Sequence, residues 1–401
     1  WLKPCRLHKM ASCVLTAADE EAALRDVLRV IGKRCRSDAN LGRVLAASQI
    51  GGGYSGGRAF ELQLSGPSGR LFAKVQVPSA AGRRTGRGAP QADEAAGDSS
   101  LENMHTCAEV INAEHQCLQE LVSFVQSEKG DNDKAFMVAT SIDVCVAASS
   151  CRNKAGASPE MELHGAALLL PWLTLKAPNS LHDHGFAVGT LHRRSIGQRQ
   201  SYGFACDTFC GPWRQRNTWA PDWVIFFYET RLQPLADAAI RAALTTKACA
   251  GPAVMALRGL GAEDLRPLFL DADLRPCLLH GDLWRGNFWS QQGIPVLLDP
   301  ASVWGHSELD IASVQLLEEA SARDAFMHGY IAATKGATMP GSGKREAMYQ
   351  LCTAFRLWAF FPGNPESAAR HSARCEALAS DVLGLLSLST REVPVMDVEK
   401  K

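Results

Sequence analysis

The chain lacks an excess of either charge and lacks any long apolar run. Lys and Arg together number 42, as do Asp and Glu, so the formal net charge at pH 7 is zero. A nucleic-acid-binding protein normally carries a basic excess or a basic stripe. A membrane-spanning helix needs about 20 consecutive apolar residues. We therefore expect neither a nucleic-acid partner nor insertion into a membrane.

Paired metal-binding cysteines are also missing. The 13 cysteines include no Cys-x2-Cys pair and no matched His/Cys cluster, which argues against a zinc site. An odd number of cysteines without a secretory signal fits reduced thiols and a cytoplasmic location. Residues 1–18 contain basic but no acidic residues, so the end of a plastid transit peptide is the alternative interpretation.

What is present divides into a strand-rich first part and a helix-rich second part. Periodicity predicts a helix over 17–33, a hairpin of 58–64 with 71–77, a helix over 101–125, and strands over 135–139 and 166–172. Segments 79–100 and 149–158 have few large apolar residues and predict disordered loops or insertions. Later helices are predicted over 180–193, 222–245, 308–319, 322–334, 345–361 and 367–388. We expect an N-terminal extension over 1–35, a first domain over 36–173 and a second over 174–401.

The most informative segment runs from His280 to Asn287, with Asp299 twelve residues later. An Asp five residues before an Asn, followed by a further Asp, is typical of the catalytic loop of a phosphotransferase. Two short apolar runs, 277–279 and 294–298, predict strands on either side. We interpret Asp282 as the acceptor of a hydroxyl proton, and Asn287 and Asp299 as Mg²⁺ ligands. The alternative is a helix-capping Asp and an unrelated turn Asp.

A second set of residues predicts a phosphate-binding site in the first domain. The glycine-rich run 51–57 can present backbone N–H groups to phosphates, although such runs are often ordinary turns. Lys74 lies within an apolar strand, where its charge needs an acidic partner unless the strand lies at an edge. We select Glu114, with Glu109 and Glu102 as competitors. The predicted nucleotide-binding residues here are Gly52, Gly53, Ser55, Gly57, Lys74 and Glu114.

Residues that follow the metal-binding Asp, and a tryptophan-rich stretch, predict the acceptor side of the site. His306 is predicted to face the substrate, and Asp310 to brace the catalytic loop by hydrogen bonds. Glu308 and Asp310 would otherwise be favourable charges at a helix N-terminus. Trp219 is a candidate for contact with a sugar ring, whereas Trp223, Phe226 and Phe227 have the spacing of a helix core.

These motifs together resemble the fructosamine/ketosamine 3-kinase family, within the protein-kinase-like and aminoglycoside-phosphotransferase-like superfamily. The resemblance covers most of residues 45–320, and its two most specific segments are His280–Asn287 and Asp299–Ala312. The other similar segments are Ser55–Phe60, Phe72–Val75, Tyr202–Phe204, Gln215–Trp219, Asp222–Trp223, Phe226–Phe227 and Arg231–Pro234.

The resemblance implies an α+β, two-lobed protein-kinase-like fold, with a small antiparallel-sheet lobe and a larger helical lobe. ATP and Mg²⁺ would be used to phosphorylate the 3-hydroxyl of ketosamines, as small molecules or on glycated proteins, in a deglycation repair step. Asp282 would be the catalytic base, and Lys74 would contact ATP. Leu170 and Trp172 would lie at the nucleotide-binding hinge, and Trp284, His306 and Trp219 would contact the substrate. A monomer is favoured.

Two alternatives remain open. One is a kinase of the aminoglycoside or choline type, and the other is a nucleotide-binding protein without catalysis. The sequence also departs from the family pattern at Phe355-Arg356-Leu357-Trp358, where relatives tend to carry Leu-Asn-His before an aromatic residue. If that helix borders the acceptor pocket, the preferred substrate differs.

Overall fold

A computed structural model describes residues 17–52, 57–78, 106–125, 136–151, 161–246, 250–335 and 342–389. The strands in chain order are β1 Val44–Gly52, β2 Arg58–Leu64, β3 Arg70–Gln76, β4 Met137–Val138, β5 Asp143–Cys151, β6 Met161–Pro171, β7 Thr208–Cys210, β8 Trp213–Gln215, β9 Cys277–Leu279, β10 Phe288–Gln291, β11 Ile294–Leu297 and β12 Val303–Gly305. The α-helices are α1 Ala17–Arg36, α2 Cys107–Val125, α3 His182–Ser195, α4 Trp223–Phe227, α5 Gln233–Thr246, α6 Pro252–Arg258, α7 Ala262–Leu265, α8 Glu308–Leu317, α9 Ala320–Ala333, α10 Ser342–Phe360 and α11 Pro365–Ser389. None of these helices is long and apolar enough to cross a membrane.

The chain forms two compact units. In the described residues, unit 1 contains 17–52, 57–78, 106–115, 141–151 and 161–172, and unit 2 contains the remainder. The helix α1, which the sequence assigned to an extension, therefore belongs to unit 1. Residues 116–125 and 136–140, which the sequence assigned to the first domain, belong to unit 2. The ring of Phe124 lies 5.8 Å from that of Trp304, and β4 pairs with β11.

Unit 1 is an antiparallel five-stranded sheet in the order β1-β2-β3-β6-β5, with α1 packed against one face. Alternating residues of β2 and β3 turn inward onto the buried side of α1, where Val27 and Ile31 lie. Gly165 of β6 makes this packing close, because a Cβ there would lie 2.5 Å from Cγ2 of Val27. The predicted hairpin is present as β2 and β3, whereas β1 and β5 were not predicted. Ser149 to Cys151 continue β5 and are not part of an insertion, while 79–100 and 152–158 lie outside the described residues.

Unit 2 consists mainly of helices and contains the short strands β9 to β12, which flank the predicted catalytic loop and the segment after it. Strand β9 pairs with β12, and β10 pairs with β11. Helices α3 and α9 approach very closely, since a Cβ on Gly185 or Gly329 would lie 1.9 Å from a carbonyl oxygen of the other helix. The apolar core of the unit is rich in aromatic side chains, including Trp223, Phe227, Tyr349, Phe355 and Trp358.

The helix predicted over 222–245 is interrupted. Helix α4 passes through a π-helical turn, Tyr228–Leu232, before α5 begins. This π-helical turn contains Arg231. The Arg231 side chain is buried, and its Nη2 donates to Oδ1 of Asn217 at 2.5 Å. Trp223, Phe226 and Phe227 are buried, as their helical spacing predicted.

Candidate active site

The predicted catalytic loop leaves β9 through a backbone turn that only glycine fits. The N–H of Ala301 donates to the carbonyl of His280 at 2.9 Å, which holds the loop against the chain beyond Asp299. Gly281 has φ +84°, and a Cβ there would lie 2.0 Å from the carbonyl oxygen of Ala301. This turn brings Asp282 out of the strand pair.

Asp310 braces this turn, as the sequence predicted. Its carboxylate, 2% exposed, accepts the backbone N–H of His280 at 2.7 Å and that of Gly281 at 2.8 Å. The ring of His192 lies on the same carboxylate, with Nε2 at 3.3 Å from Oδ2. Hydrogen bonds from N–H groups to a buried carboxylate are strong and directional, so α8 fixes the loop backbone next to Asp282.

Asp282 has different neighbours on its two carboxylate oxygens. Oδ2 lies 3.3 Å from Nδ2 of Asn287, which also donates to the Asp282 carbonyl at 2.8 Å. Oδ1 accepts Nη1 of Arg356 at 2.9 Å. Burial lowers the pKa of the Arg356 guanidinium to about 10, so it remains a cation at neutral pH. The sequence did not predict this contact. Its only signal was the departure from the family pattern at 355–358.

Asn287 and Asp299 present oxygen atoms of the kind that Mg²⁺ prefers. Nδ2 of the buried Asn287 donates to Asp282, so Oδ1 is the atom of this side chain that a metal ion could use. The N–H of Leu298 donates to the carbonyl of Asn287 at 3.2 Å, and Asp299 follows in the left-handed region at φ 52° with an exposed side chain. Among the described residues, no group of three or more His, Cys, Asp or Glu side chains could hold a metal ion. Two protein ligands fit Mg²⁺ because phosphate and water usually complete its shell.

In unit 1, Lys74 and Glu114 form an ion pair. Nζ of Lys74 lies 2.7 Å from Oε2 of Glu114, and both side chains are largely buried. Of the competitors, Glu109 instead accepts the N–H of Thr106 at 2.8 Å, while the Thr106 hydroxyl accepts the N–H of Glu109, a capping arrangement at the start of α2. Glu102 lies outside the described residues.

The remaining predicted nucleotide residues are only partly described. Gly52 pairs with Arg58 at the end of β1, and Gly57 is buried just before β2, whereas Gly53 and Ser55 lie outside the described residues. Leu170 is buried opposite Phe72 in the sheet. The guanidinium of Arg70 lies 5.1 Å from the ring centroid of Trp172, so a cation covers the ring. Their nucleotide-binding roles stay predictions.

The three predicted substrate residues differ in how exposed their side chains are. Trp284 is half-buried and lies over Gly286, where a Cβ would be 2.4 Å from the indole ring. Trp219 is 43% exposed and lies beside Gly203, whose backbone pairs with Trp304. Both keep ring surface that a substrate can reach.

His306 does not have the surroundings expected for contact with a substrate. The side chain is 3% exposed, and its Nδ1 hydrogen-bonds the Tyr349 hydroxyl at 2.8 Å. Burial lowers its pKa to about 3, so the ring is neutral. The neighbouring Glu308 is also structural, because it accepts two hydrogen bonds, at 2.7 and 2.8 Å, from the buried Arg345 of α10. The structure thus places the His306 ring in the core, and its contact with a substrate stays a prediction.

The fold and the loop define a protein of the kinase-like class, with a small antiparallel sheet and a helical unit, as the sequence predicted. A family model described as fructosamine kinase matches residues 139–375, more than half of the chain. The chain belongs to the fructosamine kinase family.

Three similar proteins illustrate the relationship. A mouse ketosamine-3-kinase is 33% identical over 40% of this chain and 48% of its own length. A chloroplastic protein-ribulosamine 3-kinase from Oryza sativa subsp. indica is 36% identical over 31% of this chain and 35% of its own length. The chain thus spans half or less of these curated relatives. The crystal structure of a protein assigned as a fructosamine-3-kinase from Haemophilus somnus superposes with TM-score 0.61 over 90% of this chain and 99% of that one, at 17% identity. At that identity the likeness establishes the fold.

Proposed function

We propose that this protein is an ATP-dependent kinase that phosphorylates the 3-hydroxyl of ketosamines. The observation that carries the proposal is the loop in which Asp310 fixes the backbone and Asn287 orients Asp282. Family membership supports the same substrate class, since relatives are named ketosamine-3-kinase and protein-ribulosamine 3-kinase. The acceptors would be small ketosamines or glycated proteins, and phosphorylation would begin their deglycation. We propose a cytoplasmic location, with the plastid as the alternative, since the rice relative is named chloroplastic.

Each residue has a defined task in this proposal. Asp282 accepts the proton of the attacking hydroxyl and orients that oxygen. Lys74, held by Glu114, contacts the phosphates of the nucleotide. Asn287 and Asp299 would hold Mg²⁺, which when bound neutralises phosphate charge. Trp284 and Trp219 offer aromatic surface to the sugar.

The alternative of a choline- or aminoglycoside-type kinase is less well supported by the surroundings of Asp282. A cationic acceptor binds best beside carboxylates or aromatic faces. Here the side chain that contacts Oδ1 of Asp282 is the arginine Arg356. That arginine repels a purely cationic acceptor.

The test is a phosphotransfer assay with ATP, Mg²⁺ and synthetic ribulosamine or fructosamine adducts, with product identified as the 3-phosphate. Asp282→Asn should lower kcat by roughly a thousandfold or more, because a base and an orienting group are lost together. Nucleotide binding by the variant, measured by calorimetry, should remain. An absence of transfer to every ketosamine at millimolar concentration, from protein that binds ATP, contradicts the proposal.

A further inference from the structure

Arg356 is a buried cation that contacts the proposed catalytic base. It lies on α10 and is 9% exposed. Both of its hydrogen bonds within the described residues come from Nη1, one to Oδ1 of Asp282 at 2.9 Å and one to the sulfur of Cys210 at the end of β7. The guanidinium is therefore held at one nitrogen.

The other donors of Arg356 have no acceptor in the part of the chain that the structure describes. Nε and Nη2 make no hydrogen bond to any described residue. Neither atom is completely buried, so solvent can reach both. A guanidinium has five N–H donors in a planar fork that matches a carboxylate or phosphate. A largely buried arginine with one nitrogen in use is thus arranged to receive an anion.

Its position relative to Asp282 indicates which molecule brings that anion. Oδ2 of Asp282 lies toward Asn287, the proposed metal ligand, while Oδ1 lies toward Arg356. In the proposed function, Asn287 would hold Mg²⁺ and with it the nucleotide phosphates on this side of Asp282. Arg356 therefore borders the side of Asp282 away from the metal, where an attacking hydroxyl would approach.

Ketosamines differ in the charge close to the sugar. The linking nitrogen is basic, and a neighbouring arginine disfavours its protonated form. In the adduct of a free α-amino acid, a carboxylate lies on the carbon next to that nitrogen, and it can pair with an arginine. In the adduct of a lysine side chain, that carbon is an uncharged methylene.

We propose that Arg356 is a specificity-determining residue that binds an acceptor carboxylate, so that ketosamines of free α-amino acids are preferred over those of lysine side chains. This inference rests on the proposed function and names its substrate class. It also gives a physical meaning to the departure from the family pattern at 355–358.

The experiment compares two nearly isosteric acceptors, the fructose adducts of glycine and of glycinamide, which differ in the carboxylate. For the wild type, we expect kcat/KM to be about tenfold to a hundredfold higher with the glycine adduct, the range for a charge-assisted hydrogen bond. Arg356→Gln should bring the ratio close to one, mainly through KM for the glycine adduct, and Arg356→Lys should retain part of it. Arg370→Gln removes an equal charge from an exposed position on α11 and should leave the ratio unchanged.

Three results would overturn the proposal. One is a wild-type ratio near one, which needs no variant and so does not depend on whether Arg356→Gln folds. Another is an unchanged ratio in Arg356→Gln with kcat lowered equally for both acceptors, which would mean that Arg356 only positions Asp282. The third is no phosphorylation of these or any other ketosamine, which alone also removes the proposed function.

Discussion

Gly281 shows how much the site depends on a single missing side chain. Its backbone lies in the left-handed region, and the space that a Cβ would fill is occupied by the Ala301 carbonyl. Left-handed backbone costs a residue other than glycine about 1–2 kcal/mol, and the close contact adds to that cost.

We therefore predict that Gly281→Ala destabilises the protein by roughly 3 kcal/mol or more and removes most activity, because the turn that presents Asp282 must shift. Gly293→Ala is a matched control. Gly293 has nearly the same φ, +82°, but nothing lies within 4 Å of its Cβ position. Its cost, measured by urea unfolding, should stay near the 1–2 kcal/mol of backbone strain. Equal losses in the two variants would show that the contact with Ala301 does not matter.

For single residues, the sequence predicts candidate site residues where the spacing of residue types indicates their chemistry. It does not predict contacts that form only when distant helices and strands pack together. The Asp282, Asn287 and Asp299 spacing could be read directly, and Lys74 required an acidic partner because of its apolar strand. Arg356 could not be placed beside Asp282, because the two are separated by 74 residues and meet only through the packing of α10. The burial of His306 could not be predicted for the same reason, since nothing in the sequence shows that the Tyr349 hydroxyl and aromatic rings enclose it.

Among the elements, α8 holds the backbone of the predicted catalytic loop. Its first turn carries Asp310, which accepts two backbone N–H groups of the loop and contacts His192. The loop geometry thus depends on a neighbouring helix as well as on the loop's own sequence.

We predict that Asp310→Asn lowers kcat by about tenfold to a hundredfold while changing KM little, since an amide NH₂, which cannot accept, takes the place of one accepting oxygen and leaves a loop N–H unpaired. The protein should also lose about 1–3 kcal/mol of stability. Asp381→Asn, on an exposed position of α11, is the control and should change neither. A retained kcat, with the change confined to KM, would argue against a role in holding the loop.

The elements that the sequence predicted are those with strong periodicity. The long α-helices α3, α8, α9, α10 and α11 and the β2–β3 hairpin were predicted with ends shifted by a few residues, whereas the short helices α6 and α7 were not predicted. Strand β1, Val-Leu-Ala-Ala-Ser-Gln-Ile-Gly-Gly, was missed because it lies at a sheet edge and has no clean alternation. The π-helical turn Tyr228–Leu232 was read as continuous helix, since a single wider turn leaves the apolar spacing almost unchanged.

For the whole molecule, buried neutral histidines make stability depend on pH. Burial lowers the pKa of His184, His280 and His306, the last to about 3 from an ordinary 6.5. Below pH 6.5 the unfolded chain takes up protons that the folded rings do not accept. The free energy of unfolding therefore falls as the pH is lowered from about 6.5 toward 3.

We predict that His306 alone lowers the free energy of unfolding by about 2 kcal/mol between pH 7 and pH 5. His306→Gln should be less stable than the wild type at pH 7, because the packing around Tyr349 changes, but its stability should vary less with pH. Urea unfolding at several pH values measures both proteins. Parallel curves for His306→Gln and the wild type would contradict the prediction.

The bond between Glu308 and Arg345 has a consequence for how related chains can diverge. Both side chains are almost fully enclosed, and Arg345 also reaches Asp271 and the carbonyl of Leu268. Losing Arg345 leaves the Glu308 carboxylate unpaired in the interior, at about 3–5 kcal/mol, and losing Glu308 leaves Arg345 with Asp271 as its one acidic partner among the described residues, whereas exchanging both for well-packed apolar residues is often neutral. Related proteins should therefore differ from this chain at both 308 and 345 or at neither. Proteins with a substitution at one of these positions alone should be rare.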